Sequence, residues 1–86
     1  MRIISQDETI DVPYEMVVIK RLGNAVYFLN RNLTGAENWA RDIELAKYST
    51  EEKAKKAMEM LRNKYREYIS TNYSKVFQFP AEEELE

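Results

Sequence analysis

The chain has 86 residues with a formal net charge of −2, from 13 bases and 15 acids, and it contains neither histidine nor cysteine. A chain of this length forms one domain, and the missing residue types exclude disulfides, thiolate metal sites and catalysis by histidine or cysteine. The nearly neutral charge does not favour nucleic acid or an anionic membrane as a partner.

Two short β-prone runs, residues 2–5 and 9–12, open the chain and are separated by three residues. This spacing predicts a tight hairpin. Pro13 cannot donate a backbone hydrogen bond, so it predicts the end of the second strand or the edge of a sheet.

A longer apolar run, residues 14–22, precedes the turn pair Gly23-Asn24, and residues 25–30 follow it. Both turn residues tolerate a positive φ, so the pattern predicts a hairpin with a two-residue loop. Both faces of this hairpin are substantially apolar, and we expect residues 73–79 or another subunit to cover the second face. A two-residue loop also fixes the register. The expected pairs are Leu22 with Ala25, Arg21 with Val26, Lys20 with Tyr27, Ile19 with Phe28, and Val18 with Leu29.

Residues 32–42 break the strand pattern, and Thr34 with Glu37 predicts a capping box and a helical turn or two. Residues 43–48 alternate again and predict the last strand. Ser49 with Glu52 predicts a second capping box, which opens the main helix at about residues 50–68. One apolar stripe at the helical period predicts the face that packs on the sheet. Its members are Ala54, Ala57, Met58, Leu61, Tyr65 and Tyr68.

These elements predict an α+β fold in a single domain over residues 1–79. An antiparallel sheet of about four to five short strands is expected, with the main C-terminal amphipathic helix packed on one face. Residues 80–86 carry four glutamates after Pro80, which predicts an acidic disordered tail. Its end, Leu85-Glu86, matches a common cloning scar.

The main helix carries six bases and four acids. Basic side chains on one exposed helix face contact phosphates in nucleic-acid-binding proteins, although the interspersed acids favour a solvated face instead. The residues that would make such contacts are Lys53, Lys56, Arg62, Lys64 and Arg66.

A second group of apolar residues does not belong to the helical stripe. Met60 lies about 120° from the centre of that stripe at 100° per residue, and the segment 73–79 is apolar beyond the helix. We therefore expect an interaction surface in which this segment is an arm that either folds back on its own sheet or crosses to a second copy. Its candidate residues are Met60, Tyr73, Val76, Phe77 and Phe79.

Catalytic candidates are few. The carboxylates of Asp7, Glu8, Asp11 and Glu15 cluster near the first hairpin and could act in acid–base chemistry or hold a hard cation, but no motif supports them. Carboxylates in a turn and at a sheet edge are more often solvated. We therefore expect a protein that is not an enzyme and binds no cofactor or metal.

Residues 1–15 and 48–62 resemble a family of small proteins from phages and prophages of Gram-positive bacteria, in which Gly often stands where this chain has Glu8. The family has no assigned activity, so the resemblance transfers no site residues. It implies a phage or prophage protein of the bacterial cytoplasm, and the lack of a leader pattern or a membrane-length apolar run is consistent with that location.

The leading hypothesis is therefore a non-enzymatic protein–protein interaction module that forms a homodimer. Its contact surface would combine the second hairpin face, Met60 and the arm. The alternative is weak nucleic-acid binding through the basic residues of the main helix.

Overall fold

A computed structural model describes residues 1–30, 43–71 and 76–85 of the chain. The described strands are β1 (Arg2–Ile4), β2 (Asp11–Pro13), β3 (Val17–Leu22), β4 (Ala25–Asn30), β5 (Ile43–Lys47) and β6 (Val76–Gln78). The helix α1 covers Glu51–Thr71, and short 3-10 turns cover Tyr14–Met16 and Glu82–Leu85. The predicted capping box at Thr34 and Glu37 and the turn after it lie outside the described residues.

The α+β class is confirmed, but the strands divide between two three-stranded sheets, with the orders β2-β1-β6 and β3-β4-β5. The first sheet is mixed, because β1 pairs antiparallel with β2 and parallel with β6. The 3-10 turn Tyr14–Met16 interrupts the run predicted as one strand over 14–22 and separates the sheets. Pro13 ends β2 at a sheet edge, as predicted.

The predicted register of the second hairpin is confirmed at all of its pairs, from Leu22 with Ala25 to Val18 with Leu29. Gly23 takes the left-handed conformation of the turn at φ 62°. Val26 on one face is fully buried, whereas Val18 and Leu22 on the opposite face are 44% and 55% exposed. Within the part of the chain that the structure describes, the second face therefore remains partly open.

The apolar stripe of α1 packs as predicted, with Ala54, Ala57 and Leu61 buried. The cap differs from the predicted Ser49–Glu52 box: the main-chain N–H of Lys53 donates to Thr50 Oγ1 at 3.2 Å, so Thr50 is the N-cap. The physical reason is that the N–H of Ser49 donates to Glu82 Oε1 at 2.8 Å, which ties Ser49 to the end of the chain.

Gln6 joins the two sheets at a β-bulge, through both its main chain and its side chain. Its main-chain N–H donates to the carbonyl of Leu45 at 2.8 Å, at the register shift where β5 pairs irregularly with β4. Gln6 Oε1 accepts from the N–H of Lys47 at 3.0 Å, and Gln6 Nε2 donates to the carbonyl of Pro80 at 3.3 Å. One residue thus connects the first turn, β5 and the C-terminal segment.

The prediction of a disordered tail is wrong for residues 80–85. Glu82–Leu85 forms a 3-10 turn, and Leu85 is buried at 5% exposure. The buried Tyr48 hydroxyl donates to the carbonyl of Pro80 at 2.9 Å, and Lys53 Nζ lies 3.2 Å from Glu82 Oε2. The acidic residues fold here because hydrogen bonds and an ion pair satisfy Glu82 while Leu85 enters the core.

The pKa values of Tyr48 and Glu82 reflect the contacts of the C-terminal segment. Burial first, and then the negative charges of Glu84 and Glu82, raise the pKa of Tyr48 above its ordinary value, so the hydroxyl stays a donor. Hydrogen bonds from Ser49 and Lys53 lower the pKa of Glu82.

We predict that Gln6→Ala lowers the free energy of unfolding by about 2 kcal/mol, because it removes two side-chain hydrogen bonds that link separate parts of the chain. Urea denaturation measures the change. Lys55→Ala is the control, since this exposed side chain makes no hydrogen bond or ion pair among the described residues, and it should stay within about 0.5 kcal/mol of wild type. Equal losses in both variants would contradict the role of Gln6.

Glu8 is the non-glycine residue with a positive φ in the described part of the chain, at 66°. We predict that Glu8→Gly is more stable than Glu8→Ala by about 1 kcal/mol, because alanine keeps the left-handed strain that glycine removes. Thermal unfolding of the two variants provides the comparison.

We predict that Gly23→Ala lowers the free energy of unfolding by about 1 kcal/mol, because alanine is strained in the left-handed conformation of this turn. No atom lies within 4 Å of the added Cβ, so a steric clash adds nothing to this loss. The same thermal unfolding experiment measures it.

We predict that Glu82→Gln lowers the melting temperature at pH 7 and that the difference from wild type disappears in acid. The folded pKa of Glu82 lies below its ordinary value of 4.5, so its stabilisation is complete above that value and is lost as the pH falls through the folded pKa. Glu83→Gln is the control, because Glu83 makes no hydrogen bond or ion pair among the described residues. A difference independent of pH would contradict this prediction.

Candidate interaction surface

The arm predicted over residues 73–79 folds back on its own chain where the structure describes it. Phe77 of β6 pairs with Ile3 of β1, and Phe77 and Phe79 are 6% and 1% exposed. Their rings meet edge to face with centroids 5.2 Å apart. Of the two alternatives stated for the arm, the described part therefore folds back on its own sheet, and pairing with β1 buries Phe77 and Phe79 so that neither is available to a second copy. Tyr73 lies outside the described residues.

The other two predicted interface residues remain accessible and meet at one groove. Met60 is 38% exposed and Val76 is 48% exposed. We call this feature, which has a volume of about 410 Å³, the edge groove. It is lined by Met60, Asn63, Lys64, Glu67, Val76, Phe77 and Gln78. A second cavity shares Met60 and Gln78 and extends toward Pro80 and Glu84, so the depression follows β6 into the C-terminal segment.

The main chain of β6 is paired on one side only within the described residues. The N–H of Phe79 donates to the carbonyl of Ile4 at 3.0 Å. Because successive residues of a strand direct their main-chain groups to opposite sides, Phe77 also faces β1, while Val76 and Gln78 face away from it. The edge groove therefore contains an open strand edge.

The helix side of the edge groove carries charges of both signs. Lys64 and Glu67 lie one turn apart on α1 and both line the groove, together with Asn63. The groove thus offers apolar contact from Met60 and Val76 without a strong net field. This composition suits a protein surface better than a phosphate chain.

The five candidate nucleic-acid-binding bases do not form one patch. Lys53 pairs with Glu82, and Lys56 Nζ donates to the Leu85 carbonyl at 3.5 Å, so the C-terminal segment engages both lysines. Arg62 lies about 180° around the helix from Lys53. Arg66 Nη1 donates to Asn63 Oδ1 at 2.8 Å, and Lys64 lines the edge groove. Among the described residues these five bases therefore do not share one free helix face, because tertiary contacts and the helical period distribute the charges.

Arg62 lines a separate cleft of about 400 Å³ with Tyr14, Glu15 and Tyr65. The rings of Tyr14 and Tyr65 have centroids 4.5 Å apart, so these aromatics pack on each other. The amino group of Met1 donates to both carboxylate oxygens of Glu15, at 3.1 and 3.0 Å. Burial raises the pKa of Glu15, but this hydrogen bond and the positive charge outweigh burial and hold the pKa below its ordinary value.

The other N-terminal carboxylates are engaged in separate local contacts. Asp7 Oδ1 accepts from Ser5 Oγ and Thr9 Oγ1, both at 2.7 Å, and these hydrogen bonds lower the pKa of Asp7. Asp11 accepts from Arg2 Nε at 2.8 Å. Within the described ranges no group of three His, Cys, Asp or Glu residues is arranged to hold a metal ion.

Sequence reasoning did not include Asn63, Glu67 and Gln78 in the interaction surface. A usable signal existed for the first two, since Asn63 and Glu67 follow Met60 at the spacings of three and seven that place residues on one side of a helix. No local signal marked Gln78, because its position depends on the pairing of β6 with β1.

Comparisons of the chain with protein-family models, curated proteins and solved structures gave no match. No helix in the residues described is both long and apolar enough to cross a membrane.

Proposed function

We propose that this chain is a non-enzymatic protein–protein interaction module that associates with a second copy of itself through the edge groove. The observation that carries the proposal is the edge of β6 that no other described strand pairs with, which lies beside the exposed side chains of Met60 and Val76. Such an edge presents hydrogen-bonding main-chain groups and apolar surface at the same place.

The composition of the sheet edges supports this choice. Charged residues and proline protect edge strands from pairing with other chains. The described residues contain four edge strands, β2, β3, β5 and β6. The protecting residues are Asp11 and Pro13 in β2, Lys20 and Arg21 in β3, and Glu44 and Lys47 in β5. β6 has the sequence Val-Phe-Gln and carries neither protection.

The size of the chain also supports association. Small domains bury a limited fraction of their apolar surface, and pairing at the edge groove would cover Met60 and Val76 in one contact. On the resemblance alone, we further propose a phage or prophage origin and a location in the bacterial cytoplasm.

We predict that Val76→Lys raises the dimer dissociation constant about tenfold or more, because it places a charged side chain at the pairing edge. Light scattering over a concentration series measures the mass. Val18→Lys is the matched control, since Val18 is 44% exposed and Val76 is 48% exposed. This control should dimerise like wild type.

A wild-type chain that is monomeric at every concentration would overturn the proposal. The nucleic-acid alternative is tested by titrating an oligonucleotide at low and high salt. Phosphate binding weakens steeply as salt rises, whereas pairing of the uncharged β6 edge should change little. Salt-sensitive oligonucleotide binding by a monomer would favour the alternative.

A further inference from the structure

The main-chain geometry of β6 also determines which residues of two copies can meet. Within β6, Val76 and Gln78 direct their main-chain groups away from β1, while Phe77 directs its own groups toward β1. The outward set is therefore two residues, separated by one that is already paired. This pattern is self-complementary.

We propose that two copies pair β6 with β6 antiparallel, about a two-fold axis at Phe77. Val76 then lies opposite the partner's Gln78, and Gln78 lies opposite the partner's Val76. This inference rests on the proposed function, and it specifies the register of the contact. Two hydrogen-bonded pairs of an antiparallel ladder supply four main-chain hydrogen bonds.

A register centred on Gln78 would satisfy fewer of the outward main-chain groups of β6 than the register centred on Phe77. An axis centred on Gln78 would set Val76 opposite the partner's Pro80, which has no N–H to donate. The register centred on Phe77 engages both outward residues of β6 and leaves Pro80 in its contact with Tyr48.

The arrangement of the helix agrees with the same axis. A two-fold axis perpendicular to the sheet keeps the core faces of both copies on the same side, so both helices flank the joined strands. Met60 lies on the groove side of α1 and is brought toward the seam. Lys64 and Glu67 border the same groove. The product is one continuous sheet with the order β2-β1-β6-β6-β1-β2.

Disulfide trapping tests the register, since the native chain contains no cysteine. Residues opposite each other in a hydrogen-bonded antiparallel pair have Cα atoms about 5.5 Å apart, within the range of a disulfide. Full-length Val76→Cys and Gln78→Cys proteins are mixed while reduced and then oxidised with glutathione. We predict that the mixed disulfide exceeds the two homodisulfides together by several-fold. Val18→Cys mixed with Gln78→Cys is the control and should give random pairing.

Light scattering on the wild-type chain and the reduced variants separates the two levels of the proposal. A dimer with predominant mixed disulfide supports the register. A dimer that gives random pairing, or mostly the Val76→Cys homodisulfide, overturns the register and leaves the proposed function standing. A wild-type monomer at all concentrations overturns both.

Discussion

The fold depends on the hydrogen bonds that Gln6 makes to two distant parts of the chain. Its main chain binds Leu45 in the irregular part of β5, and its side chain binds Lys47 and Pro80. These contacts hold the first turn against the second sheet and the C-terminal segment at the same time. The contacts with Leu45 and Lys47 also satisfy main-chain groups at and beside the bulge, as buried main-chain groups require. The two sheets share one core partly because this residue lies between them.

The position of the C-terminal segment follows from that junction and changes the surface of α1. Once Pro80 is held by Gln6 and Tyr48, Glu82 reaches Ser49 and Lys53 at the start of the helix. Glu82, which was predicted to lie in a disordered acidic tail, is thus bound at the start of the helix. The same contacts engage basic residues that seemed available for phosphate. Met60 and Val76 meanwhile stay exposed.

Among the described residues, the open edge of β6 follows from its place at the end of the strand order β2-β1-β6. The parallel pairing with β1 buries Phe77 and Phe79 and leaves Val76 at the outer edge. A strand added last to a sheet has one side unsatisfied unless another element covers it. In this chain the neighbouring helix contributes Met60 to a groove beside the edge. Main-chain pairing and apolar contact are thus available together, which is the combination used when a strand is added to a sheet.

The sequence by itself determined the local features of this protein. The loop Gly23-Asn24 set the register of β3 with β4, and the helical period identified the buried stripe ending near Leu61, because turn geometry and helix spacing act between residues close in the chain. It also named Met60 and Val76 as candidate interface residues, but it placed Phe77 and Phe79 in the same set, and only the pairing of β6 with β1 separates the exposed pair from the buried pair. Only the tertiary structure decided the parallel pairing of β1 with β6, the bridging by Gln6 and the docking of Glu82. These contacts join residues far apart in the chain, and no local spacing encodes which distant main-chain groups will meet.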